Sequence, residues 1–387
     1  MNERKLQAWI EAGVVDPDAA ARIRGWEASH ARPLALWAVI GIGALAIALG
    51  IMLVVAANWD DIPPMLRLSL HLALLAGLLG AVWWRGDQLA ARQPWWQEAL
   101  LFVCGALGLT FLAHLGQVYQ TTSPLWQPVA VWLVLFGPVL LLRGRSWLTA
   151  VTVMLAAGVA ANDYAGGGYD LGSGELVRRS AYCAALISAL PILAAAVGAL
   201  AQRLSTRADF WRRIEQLGLI YAVGMASWLA LWAGYLAGDL GGTGTAASPY
   251  VAGALVIRAA VALASAALLL LAPQEIRPRA AAAVLCAAGL TMLLSQLSLG
   301  HNIASALLFM ALWCGVAAAA ILGGWRVTFQ LAVAAVALRL IVLSFELDDN
   351  LLDNGLGLIA GGVITLAVAG AATVVARRFA PPREAQP

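Results

Sequence analysis

Long apolar runs, nearly free of charge, recur along the whole chain and restrict its fold more than any other feature. They cover about residues 34–57, 66–84, 98–118, 127–142, 147–161, 180–200, 214–237, 250–272, 280–297, 303–322, 327–345 and 355–376. Most approach the roughly 20 residues that a helix needs to cross a hydrocarbon layer about 30 Å thick. Inside such a layer the backbone must satisfy its own N–H and C=O groups, so only helices and closed barrels can span it. Barrel strands would alternate apolar and polar residues over segments of about ten, whereas these runs are continuous. Composition agrees. The 387 residues are 62% hydrophobic and 12% charged, against about 45–50% apolar and about 25% charged in soluble domains. The expectation is an all-α polytopic transmembrane bundle of about twelve spans at 34–378, behind a short helical segment at 1–33 and ahead of a tail at 379–387. The short runs 127–142 and 147–161 predict either a tight tilted hairpin or a re-entrant pair.

Charge placement orients the spans. Of the 24 basic residues, all arginine except Lys5, only Arg178 and Arg179 fall outward if the N-terminus is inside. Arg67, Arg258 and Arg339 fall within spans, and all the others face inward. That is the positive-inside pattern, and it predicts both termini in the cytoplasm. The outward loops carry Asp60, Asp61, Asp163, Asp170, Asp239, Asp348, Asp349 and Asp353. Trp59, Trp83, Trp84, Trp95, Trp96, Trp126, Trp147 and Trp325 stand at span ends, where indole rings anchor at the headgroup level. The first apolar run is too long and starts too late for a cleavable signal peptide. Residues 1–30 predict a helical hairpin: Leu6, Trp9 and Ile10 on the first helix, Gly13 ending it, Asp16 and Pro17 opening the second. So small an element needs a docking surface, on the membrane domain or on a cytoplasmic protein partner.

Two features suggest duplication. Gly108-Leu109-Thr110 returns as Gly289-Leu290-Thr291, and Trp147 returns as Trp325 at nearly the same offset. Two parallel six-helix halves would produce this. The four cysteines, Cys104, Cys183, Cys286 and Cys314, lie inside apolar runs and read as small packing residues. No phosphate-binding, zinc-protease or nucleophile-elbow motif is present, so no cofactor or metal is expected. Nothing in the charge pattern points to nucleic acid.

Polar groups inside spans are costly and mark function by default. Here they cluster toward the outer side: Arg67, His71, His114, Gln117, Tyr119, Arg258, Arg339 and Glu346. They predict an outward-open polar vestibule in which Arg258 and Arg339 meet an anionic solute or lipid headgroup. The competing reading pairs each arginine with a helix-end carbonyl or with Glu346, and gives the histidines interhelical hydrogen bonds. Three functional classes follow: binding or transport of an anion, a membrane-embedded enzyme acting on lipid-linked substrates, and an assembly subunit that recruits a partner through the hairpin.

Several segments together carry a resemblance. They are Leu6 and Trp9-Ile10-Glu11-Ala12-Gly13-Val14-Val15, then Asn58-Trp59-Asp60 with Ile62-Pro63, then Trp96-Gln97-Glu98-Ala99 leading to His114-Leu115-Gly116-Gln117-Val118-Tyr119-Gln120. The last two runs, with Arg339 and Arg377-Arg378, complete the set. In this order they resemble the DUF2157 family of predicted membrane proteins. The resemblance implies a bacterial inner membrane and no established activity.

Overall fold

A computed structural model describes residues 6, 9–30, 42, 46, 62–92, 94–167, 175–239, 249–271, 276–298, 301–347 and 355–381. All regular structure among these residues is helical. The chain divides into two compact units, Met1–Arg67 and Leu68–Pro387.

In the first unit, the expected hairpin has the geometry its residues dictate. Gly13 adopts φ +68°, the left-handed region open to a residue without Cβ. From there Gly13 N–H donates to Ile10 O and Val14 N–H to Trp9 O, which closes the first helix with a Schellman turn. Asp16 then caps α1 (Pro17–His30), its Oδ1 accepting from Ala19 N–H at 2.6 Å. Leu6 and Ala20 are buried. The predicted boundary at 33/34, the first run at 34–57 and the loop Asn58-Trp59-Asp60-Asp61 lie outside the described residues, as do the tail beyond 381 and most of the acidic outer loops.

The second unit is a helical bundle. α2 (Pro64–Arg92) leads into it, followed by α3 (Pro94–Val118), α4 (Trp126–Arg143) and α5 (Trp147–Gly167). Next come α6 (Glu175–Ala189), a 3-10 turn at Leu190–Ile192, α7 (Leu193–Leu204) and α8 (Ala208–Asp239). The order ends with α9 (Pro249–Leu270), α10 (Ile276–Leu294), α11 (Asn302–Leu322), α12 (Arg326–Leu347) and α13 (Gly355–Phe379). Among the described residues, 11 segments are long and apolar enough to cross a membrane. Each coincides with one of the runs read from the sequence. One of them, Ala181–Leu204, is interrupted by the 3-10 turn.

The two short runs are ordinary helices. α4 has 18 residues and α5 has 21, and they pack side by side as an antiparallel pair. Acidic side chains cap both ends of this pair, Asp163 from within α5 and Glu98 from α3. At one end Asp163 Oδ2 accepts from Trp126 N–H at 2.8 Å. At the other, Glu98 receives the N-terminus of α5.

The core has two main parts. One joins α2 to α5 through Leu75, Leu101, Trp132, Phe136 and Val153. The other, from Ala189 to Ala332, is built mainly from alanine. Small side chains let helix backbones approach closely, as membrane packing without a hydrophobic driving force requires. The repeated Gly-Leu-Thr segments both sit at close contacts, but in different pairs: Gly108 faces Phe136 of the following span, and Gly289 faces Leu263 of the preceding one. Large apolar side chains cover the outside of the bundle, including Leu72, Leu135, Trp228, Leu331 and Leu366. In water that surface would aggregate; in a bilayer it is the solvent-facing surface. Trp83 and Trp84 are exposed at 73% and 83%, at the span end where anchoring indoles were expected.

Candidate functional site

Span six breaks in its interior. Pro191 has no N–H to donate and ends regular α-helical bonding, giving the turn Leu190–Ile192 between α6 and α7. Breaks at membrane depth persist where other groups satisfy the freed backbone. Here the partner comes from α8: Tyr221 OH donates to Ser188 O at 2.7 Å. The same hydroxyl accepts from Asn162 Nδ2 of α5 at 2.9 Å, and Asn162 also donates to Gly158 O at 2.8 Å. From α9, Arg258 Nε donates to Ser188 Oγ at 3.1 Å, and Ser188 Oγ donates in turn to Ala185 O at 3.0 Å. Four helices thus meet at one polar cluster around a fully buried serine. Arg258 is half-buried there, and Ser188 is its one hydrogen-bond partner among the described residues.

Of the other residues expected in one vestibule, His71, His114, Gln117 and Tyr119 lie on or just after α2 and α3, and Arg339 and Glu346 lie on α12. His71 and His114 come together across α2 and α3, with ring centroids 6.1 Å apart. His71 Nε2 donates to Leu107 O at 3.0 Å and its ring meets Phe111 edge-on at 5.3 Å. Gln117 and Tyr119 are exposed at the end of α3, which Gln120 closes in the left-handed region at φ +53°. Arg339 and Glu346, both on α12, form an ion pair at 2.8 Å. α12 packs on α11 and α13, whereas α9, which carries Arg258, packs on α6, α7 and α10. Arg67, in the first turn of α2, donates from Nε to Ile62 O at 2.7 Å. Among the described residues no three His, Cys, Asp or Glu side chains group as metal ligands.

A second polar cluster lies at the arginine-rich end. Glu98, 6% exposed, sits on the turn Gly144–Ser146 between α4 and α5. Its carboxylate accepts from Arg145 N–H, from Ser146 Oγ at 2.5 Å and from Thr149 Oγ1. Arg207 approaches the same turn and donates to Gly144 O at 2.7 Å and Leu141 O at 2.9 Å. Gln97 Nε2 donates to Arg143 O, and Arg213 to Arg145 O. Burial, and then repulsion from Arg145, push the Arg207 guanidinium below its ordinary value, with Glu98 opposing. Every group here satisfies a helix end, so the cluster reads as a fastening of the bundle.

Ser188, Tyr221, Asn162 and Glu98 were not among the candidate site residues read from the sequence, where Glu98 entered only as part of the family resemblance. Pro191 inside an apolar run was the available sign of the helix break. Nothing in the sequence joined α5, α8 and α9 to it.

Comparison with known proteins fits this picture. Residues 7–149 match the family model DUF2157, described as a predicted membrane protein. The match includes Glu98, His71 and His114 and stops before Ser188, Tyr221 and Arg258. Neither the curated proteins nor the solved structures contain a match. Together with the 11 described helices long and apolar enough to cross a membrane, the match makes this an integral, multi-pass membrane protein in contact with the lipid bilayer.

Proposed function

We propose that the protein binds an anionic group, a free solute or a lipid headgroup, at Arg258 beside the broken sixth span, as a carrier or receptor in a bacterial inner membrane. The supporting observation is the way Arg258 is held. Its Nε is fixed on Ser188 Oγ, while its terminal amino groups make no hydrogen bond to the described residues. A guanidinium presents a rigid fork that suits phosphate and carboxylate. Discontinuous helices near mid-membrane are a recurring way to build such sites in transporters. Arg339, neutralised by Glu346, is better suited to holding α12. Native mass spectrometry of the protein released from nanodiscs of bacterial polar lipids tests the reading. An anionic adduct should be present in wild type, weaker in Arg258→Lys and lost in Arg258→Ala; its mass separates lipid from solute. Identical adducts in all three proteins would remove the basis of the proposal.

The same reading puts both termini in the cytoplasm, on the strength of the arginines in alternate loops. Alkaline phosphatase fused after residue 171 should be active, and fused after residue 387 inactive. The reverse pattern would invert the topology.

A further inference from the structure

α11, α12 and α13 enclose a groove of about 470 Å³ between them. Its walls are entirely apolar: Ala317 and Ile321 from α11, Val333 and Leu340 from α12, Ala371 and Val375 from α13, with neighbours of the same kind. The volume lies within the usual range for ligand pockets, roughly 300–1,000 Å³. Ordinary ligand sites add a few polar groups that fix orientation; among the described residues that line it, this groove has no charged or amide side chain.

The polar groups lie instead at one end. Arg326 opens α12 at the end of the bundle where Arg377 and Arg378 close α13. The two helix ends are tied together, because Arg326 donates to Pro381 O at 3.1 Å. At the same end α11 finishes in a Schellman turn, with Gly324 at φ +71° and Trp325 N–H donating to Ala320 O at 2.8 Å. An apolar groove on three helices, two of which carry Arg326, Arg377 and Arg378 at one shared end, has the polarity of an anionic phospholipid: acyl chain along the groove, headgroup at the arginines. We infer that this groove seats one acyl chain of an anionic phospholipid, with Arg326, Arg377 and Arg378 selecting the headgroup. The inference is independent of the Arg258 reading and of which leaflet the arginine end faces.

The test uses the full chain in nanodiscs of phosphatidylcholine and phosphatidylglycerol, with a trace of phosphatidylglycerol carrying a diazirine on its acyl chain. After irradiation, labelled peptides should map to Cys314–Ile321, Phe329–Leu340 and Val368–Val375. Unlabelled phosphatidylglycerol should compete far better than phosphatidylcholine, a comparison that needs no variant. Each arginine near a membrane surface contributes a factor of about five, so Arg377→Ala/Arg378→Ala should reduce selectivity roughly 30-fold. Arg377→Lys/Arg378→Lys should keep most of it. Ala371→Phe, which fills the trough, should reduce groove labelling while leaving headgroup-independent labelling elsewhere unchanged. Labelling spread evenly over the outer helices and indifferent to Ala371→Phe would overturn the site. Equal competition by both lipids would overturn the headgroup assignment. Labelling excluded by a second copy of the chain, seen as a dimer in native mass spectra, would assign the groove to self-association instead. An unchanged groove signal in Arg258→Ala separates this site from the one proposed above.

Discussion

Replacing Glu98 by alanine should be among the most damaging changes outside the apolar core. Glu98 is buried, and its carboxylate serves three donors at the start of α5: Arg145 N–H, Ser146 Oγ and Thr149 Oγ1. Alanine leaves all three without that acceptor. The two hydroxyls can rotate toward carbonyls of their own helix and recover part of the loss. The backbone N–H has no such freedom, and a buried unmade hydrogen bond costs about 1–3 kcal/mol. Removing the charge also takes away the opposite charge facing Arg207. Together these give a loss of about 4 kcal/mol for Glu98→Ala and about 1–2 kcal/mol for Glu98→Gln, which keeps one acceptor oxygen. The assay is unfolding by sodium dodecyl sulfate in dodecylmaltoside micelles, followed by circular dichroism. Gln88→Ala, at an exposed position on α2, serves as the control and should stay within about 0.5 kcal/mol of wild type. A double-mutant cycle between Glu98→Ala and Thr149→Val should show coupling of about 1 kcal/mol. A Glu98→Ala protein as stable as the control, or strict additivity in the cycle, would refute the fastening role.

Three further outcomes follow from named contacts. Tyr221→Phe removes a hydroxyl that bridges Ser188 O and Asn162 and should cost about 1 kcal/mol in the same assay, the scale of interhelical hydrogen bonds in membranes. Arg339→Ala or Glu346→Ala alone should cost about 3 kcal/mol by leaving one buried charge unmatched, while Arg339→Leu/Glu346→Leu should return most of it; equal losses in all three would mean the pair is not the relevant interaction. Gln120→Gly should stabilise the protein by about 1 kcal/mol, because φ +53° is strained for a residue with Cβ and open to glycine; a lower unfolding midpoint would show that the glutamine side chain compensates.

The fold was legible because bilayer crossing leaves a one-dimensional mark. A helix that must shed all its charge over about 20 residues announces itself whatever it packs against. The suspicion attached to 127–142 and 147–161 came from length alone. Their stability comes from Asp163 and Glu98, which cap them from outside the short runs, or from a different helix. Glu98 stands at a span end, where an exposed acid is unremarkable, so nothing local distinguished it from a solvated one. The candidate site was half legible for the same reason. Arg258 stands out in an apolar run. Ser188, Tyr221 and Asn162 are modest polar residues whose meaning depends on which helices become neighbours, and periodicity within one span carries no information about that.

What separates Arg258 from Arg207 and Arg339 is the kind of partner that meets it: a neutral serine hydroxyl, where the others meet helix-end carbonyls or a carboxylate. Arg207 spends two amino groups on Gly144 and Leu141 carbonyls and closes a turn. Arg339 spends its charge on Glu346. Ser265 and Thr291 bond back to their own helices, to Val261 O and Ala287 O. These interactions end inside the protein. At Arg258 the donor chain from Asn162 through Tyr221 ends on Ser188 O, and among the described residues the guanidinium is held at its Nε edge by Ser188 Oγ. A guanidinium stays charged at every physiological pH, and a charge within a span is expensive unless an anion or water meets it. The helix break that positions Ser188 costs hydrogen bonds as well. We infer that these two costs at one place, with terminal amino groups that no described residue binds, reflect a ligand rather than packing.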